Sequence, residues 1–176
     1  MRAILPAGLC IVLGVGAVRT AVAQKIDVDS VQQATRTKLE ALLATYGPAQ
    51  DARWHRSQNN PFAEVGYFDK DLTYASRFEI IITITDKATI WFRVYPLLGG
   101  DYINLDKVRD PNGLMQQLLR FSYHNFFFWG ADDERDVFAG FQFTLESGFP
   151  DDAVKVVIRS APLIDGSVGE LESFIE

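Results

Sequence analysis

Cysteine is almost absent from this chain of 176 residues: Cys10 stands alone. A single thiol excludes an internal disulfide framework and a thiolate metal site, so the fold must rest on its apolar core. Histidine is nearly as scarce, with His55 and His124 only, and no pair at i, i+4 exists to anchor zinc. Nucleophile elbows of the Gly-x-Ser-x-Gly type and phosphate-binding glycine loops are missing as well; Gly99-Gly100 reads as a turn. Clustered positive charge is lacking: 17 Lys and Arg stand against 23 Asp and Glu, for a net charge of −6. Scattered bases do not neutralise a phosphate backbone, which argues against nucleic acid. Arg53 and Arg56, flanking Trp54 and His55, make a small basic-aromatic patch that reads as a strand with solvated charges.

What is present begins with an address. Met1 and Arg2 form a short cationic start, residues 4–18 are apolar or small, and Ala21-Val22-Ala23 fits a small-x-small cleavage pattern. The spacing predicts a secretory signal peptide over residues 1–23, cut between Ala23 and Gln24. The run is too short to span a hydrocarbon layer of roughly 30 Å, and no other stretch is long enough to anchor the chain. Leu9 before Cys10 is bulky where lipid attachment needs a small residue. The expectation is an exported protein, periplasmic or secreted, with no stable membrane anchor after cleavage. Loss of Arg2 and Arg19 with the leader takes the net charge from −6 to −8. Residues 24–176 read as one domain, large enough to bury roughly two-thirds of its unfolded surface.

The pattern along that domain is mixed. Val31, Ala34, Leu39, Leu42 and Tyr46 recur at helical spacing over residues 30–46, with Gly47-Pro48 as the stop. Weak strand signals follow over 52–58 and 63–68, split by the Asn59-Asn60-Pro61 turn. Strong ones follow over 77–85 and 89–95, and the three residues between these two force an antiparallel hairpin. After a connector, Asp110-Pro111 caps a second helix whose stripe is Leu114, Met115, Leu118, Leu119 and Ser122. A strand over 126–129, an acidic turn and a strand over 136–146 make another hairpin, with Val137, Ala139, Phe141, Phe143 and Leu145 inward. A C-terminal helix opens at Pro150-Asp151-Asp152 and breaks near Pro162 and Gly166, with a last turn or two to Ile175. The fold class is α+β: a single-layer antiparallel sheet with helices packed on it, in the order α-β-β-β-(β)-α-β-β-α.

This order resembles the small α+β fold shared by type III secretion chaperones and YbjN-like proteins. The resemblance rests on the opening helix, the Ile80-Ile81-Ile82-Thr83-Ile84 and Trp91-Phe92-Arg93-Val94 hairpin, and the middle helix ending Leu118-Leu119-Arg120-Phe121-Ser122-Tyr123-His124-Asn125. It implies a non-enzymatic domain that contacts other proteins, commonly as a homodimer. The export leader sets the chain apart from cytoplasmic chaperones, and no binding motif transfers.

Six aromatic residues crowd positions 121–129, and strand alternation turns Phe127 and Trp129 away from Phe126 and Phe128. Either helices cover both faces of the sheet, or one face meets a partner. With Trp91 and Tyr95, which oppose Ile90, Phe92 and Val94, the residues expected on a protein-contact surface are Trp91, Tyr95, Phe127 and Trp129. No cofactor, metal or catalytic set is expected. The alternative is a small periplasmic hydrolase or ligand-binding protein using Asp69 and Asp71. Asp69-Lys70-Asp71-Leu72-Thr73 resembles the first motif of haloacid-dehalogenase phosphatases, with Asp132-Asp133 and Lys155 as its partners. That chemistry needs a parallel strand with a helix following, and here a tight antiparallel pair comes next. Calcium at Asp132-Asp133-Glu134 or Asp151-Asp152 competes with a hairpin turn and a helix start, where negative charge is favourable without metal.

Overall fold

The computed structural model describes residues 28–175. The expected leader, residues 1–23 with Cys10, lies outside the described residues.

Helix α1 (Val28–Tyr46) leads through a short 3-10 turn at Pro48–Gln50 into hairpin strands β1 (Arg53–Arg56) and β2 (Ala63–Phe68). Ser57 and Asn60 shape the turn between them, with the Asn60 side chain accepting from the Phe62 N–H at 2.9 Å. Strands β3 (Arg77–Ile84) and β4 (Thr89–Leu98) form the long hairpin, closed where the Thr85 and Thr89 hydroxyls meet at 2.7 Å. Then come β5 (Asp101–Tyr102), α2 (Pro111–His124), β6 (Phe128–Ala131), β7 (Val137–Thr144), α3 (Asp151–Arg159), α4 (Ala161–Gly169) and α5 (Glu172–Ile175). All seven strands join one antiparallel sheet in the order β1-β2-β3-β4-β7-β6, with β5 paired to the end of β4. The fold is α+β, a single open sheet with the helices packed on it.

Strand alternation decides the two faces. One presents Phe78, Ile80, Ile82 and Ile84 from β3, Ile90, Phe92 and Val94 from β4, and Val137, Ala139 and Phe141 from β7 to a core completed by the helices. The other carries a small separate cluster of Tyr95, Leu97 and Phe138 with Ile81, which no helix residue joins. Among the described residues, helices therefore cover one face only.

Several boundaries move from their sequence expectations, each for a local reason. The buried stripe of α1 is Gln32, Thr35, Leu39 and Leu43, and Ala34 is exposed. Gln32 is drawn inward because its side chain donates to the Ile84 carbonyl at the end of β3. Strand β4 runs past Pro96 because its pairing with β7 stops at Val94, and a missing N–H is tolerated where one side of a strand is unpaired. Gly99 and Gly100, both at positive φ, are not a loose connector; they turn the chain straight into β5. The C-terminal helix breaks at Ser160, so Pro162 sits in the first turn of α4 and Gly166 lies inside that helix.

Candidate functional site

Two of the four expected contact residues belong to the core. Phe127 is 3% exposed and Trp129 5%, packed with Phe121 and Phe141. Alternation across 126–129 holds, but with the opposite sense: Phe126 and Phe128 are the residues left outside. The reason lies in how α2 meets β6. The Trp129 N–H donates to the Ser122 hydroxyl at 2.8 Å, and that hydroxyl donates to the Leu118 carbonyl, so the indole is drawn beneath the helix. Tyr95 is buried on the helix-free face, where its hydroxyl donates to Asp132 at 3.0 Å. Burial, more than the Asp132 carboxylate, pushes its pKa up to about 12. Trp91 is half-buried on the same face, with the Arg93 guanidinium 4.7 Å from its ring centroid.

The apolar surface that is exposed lies elsewhere. The expected stripe of α2 is too wide for one face, and the fold divides it: Leu114, Leu118 and Phe121 enter the core, while Met115 and Leu119 point out. Met115, Leu119 and Tyr123 follow at i, i+4 and i+8, and Phe126 is exposed just past the helix end. Leu119 is 67% exposed, Tyr123 82% and Phe126 63%. Between Asp110 and Asp132 the chain has no Asp or Glu at all, so this ridge is free of acidic side chains in an acidic protein.

The acidic candidates find structural partners. Asp132 accepts from Tyr95 with one carboxylate oxygen and from the Asp136 N–H with the other, which holds the β6–β7 turn. Asp151 and Asp152 stand in the first turn of α3, with Lys155 3.1 Å from Asp152. Among the described residues no group of three His, Cys, Asp or Glu is placed to hold a metal ion. His55 stacks on Tyr67 over β1 and β2, and His124 ends α2 beside Tyr123, so the two histidines serve different elements. Asp71 takes a left-handed turn at φ 55°. The next residues are held by Asp165 of α4, whose buried carboxylate accepts from the backbone N–H groups of Thr73, Tyr74 and Ala75. Among the described residues every strand pair is antiparallel, so the string from Asp69 lacks the strand-loop-helix setting of a phosphatase there.

Asp69 does line a groove, of about 910 Å³, between the end of α1 and the β1–β2 hairpin, but Asp71 does not. Leu43, Ala44, Pro48, Ala52 and Trp54 form its apolar lining. The Trp54 ring lies across Gly66 and against Gly47, where a Cβ would come within 2.5 Å of it. Two ion pairs mark the rim, Arg53 with Asp69 and Lys70 with Asp51, each at 2.7 Å. Glu64 lines the groove from β2 and is 6% exposed; its Oε1 has no hydrogen-bond partner. Burial and then the neighbouring Glu40 carboxylate raise the Glu64 pKa above its ordinary value. Sequence reasoning missed this residue. Its signal is an acid that shares the inward face with Gly66 and Phe68, which is visible only once the β2–β3 register is known.

Compared with protein-family models, with curated proteins and with solved structures, the chain matches none. Among the described residues no helix is long and apolar enough to cross a membrane.

Proposed function

We propose that this is an exported bacterial domain of the YbjN-like type, non-enzymatic, which binds proteins and pairs first with a second copy of itself. The observation that carries the reading is the ridge of Met115, Leu119, Tyr123 and Phe126, apolar and exposed on a helix whose opposite side is fully packed. Exposed large apolar side chains grouped in this way mark an interaction surface. The row favours a second copy because it carries no acidic side chain in a chain whose net charge is −6. A two-fold pair brings the same ridge from both copies together, so each α2 meets α2. The YbjN-like part of the reading rests on the order of elements along the chain. Export follows from the pattern over residues 1–23, and mass spectrometry of the protein recovered from the periplasm should find a chain beginning at Gln24.

The test is light scattering behind size-exclusion chromatography. The wild-type protein should run as a dimer, insensitive to EDTA and Ca²⁺, and Leu119→Glu should run as a monomer, because dimer formation would bury two new charges at its centre. A wild-type monomer that binds no hydrophobic dye overturns the proposal.

A further inference from the structure

We infer that the groove between α1 and the β1–β2 hairpin binds an organic ammonium ion, an amine head on an alkyl stem, with Glu64 as the anchor of the head. Most of the charged side chains around the groove are already engaged. Arg53 and Lys70, the bases that line the groove, are paired with Asp69 and Asp51. Arg36 lies 3.2 Å from Glu40 and donates to the Pro61 carbonyl, and Arg56 also donates to Glu40. Glu40 thus draws both nearby guanidinium groups, and Glu64 has no ion-pair partner among the described residues.

A buried carboxyl oxygen with no donor is costly to the folded state. It persists where something else supplies the donor, and an ammonium supplies up to three. Leu43, Pro48 and Trp54 offer the apolar lining that an alkyl stem needs. An anion is disfavoured, since four carboxylates line the groove and its bases are already paired. A bare metal ion is disfavoured too, since no three ligating groups converge among the described residues.

Proton linkage follows from the same geometry. The charged or titratable neighbours acting on Glu64 are Glu40 and Arg36 from α1 and Arg56 and His55 from β1. Burial and Glu40 favour the protonated acid, whereas a bound ammonium favours the carboxylate. Wherever Glu64 is protonated, binding therefore expels a proton, and affinity rises as pH rises through the Glu64 transition. The site is built from α1, β1 and β2 and is independent of the α2 ridge.

Isothermal titration calorimetry of the purified protein with n-pentylamine hydrochloride tests this, with sodium valerate as the probe of opposite charge. Pentylammonium should bind one to one, and affinity should rise as pH is raised from below the ordinary carboxylate range to neutrality. Glu64→Gln, which keeps the side-chain shape, should weaken binding by at least about tenfold. Asp69→Asn, at the rim, should change it by less than about threefold. Tighter binding of N-acetyl-lysine methylamide than of pentylamine assigns the head to a peptide lysine, and the reverse assigns it to a free amine; both support the site. Absence of binding, preference for valerate, or equal affinity in Glu64→Gln overturns it. Should Glu64→Gln fail to fold, the wild-type series decides alone: affinity that stays flat or falls as pH rises overturns the proposal.

Discussion

At the scale of single residues, the side chains that matter most here serve partners far away in sequence. Asp165 accepts from three successive backbone N–H groups about 90 positions earlier, and so fastens the loop after β2 onto α4. Gly169 completes the latch: a Cβ there would come 2.6 Å from the Tyr74 ring that lies over it. Asp165→Ala leaves those donors without their acceptor and should cost about 3 kcal/mol in urea unfolding. Asp152→Ala, which removes a surface pair on α3, should cost less than about 1 kcal/mol in the same assay. Neither Asp165 nor Glu64 was legible beforehand. An aspartate in an apolar helix and a glutamate in a weak strand are ambiguous until the tertiary fold shows which is satisfied and which is left open.

At the scale of elements, the helix and hairpin signals were readable because they are local. Asp110 accepts from the Gly113 N–H at 2.9 Å and caps α2 as its position before Pro111 predicts. The β3–β4 hairpin follows from two strong strands and a turn too short for anything else. Strand β5 was not readable as a strand, since two residues carry no periodicity and its existence rests on pairing with Leu97 and Leu98. The direction in which the 126–129 segment faces was also open, because alternation gives two sets of residues without saying which set is inside. The Ser122 hydroxyl settles it by accepting from the Trp129 N–H. Ser122→Ala should therefore loosen β6 from α2, lowering stability by about 1 kcal/mol. Hydrogen exchange at the Trp129 amide should quicken more than at β3.

At the scale of the whole molecule, an open sheet with helices on one face leaves two surfaces to account for: the helix-free face and the outer side of α2. The first covers itself in part, with Arg93 laid over Trp91 and Phe138, and Tyr102 donating to Glu79. The second stays bare, with Leu119 at its centre 67% exposed. The helix-free face also sets an alkaline limit. The Tyr95 pKa is raised from an ordinary 10 to about 12, mainly through burial, and Tyr102 moves the same way through desolvation together with the Glu79 carboxylate it donates to. The unfolded chain loses these protons first, so stability holds below about pH 10 and falls as pH rises towards 12. Two units at Tyr95 correspond to a loss on the order of 2–3 kcal/mol. Tyr95→Phe should flatten that decline in thermal melts taken across this range, while removing the bond to Asp132.

The sequence by itself determined the α+β class, the antiparallel hairpins and the helix start at Asp110, because periodicity, capping and short turns act over a few residues. It also defined which aromatic residues share a face. Only the tertiary structure decided which of those faces is buried, how the apolar stripe of α2 divides between core and surface, and that Glu64 lines a groove unpaired while Asp165 is fully engaged. Those outcomes depend on which donors and which apolar surfaces the rest of the fold brings alongside, and no local pattern encodes them.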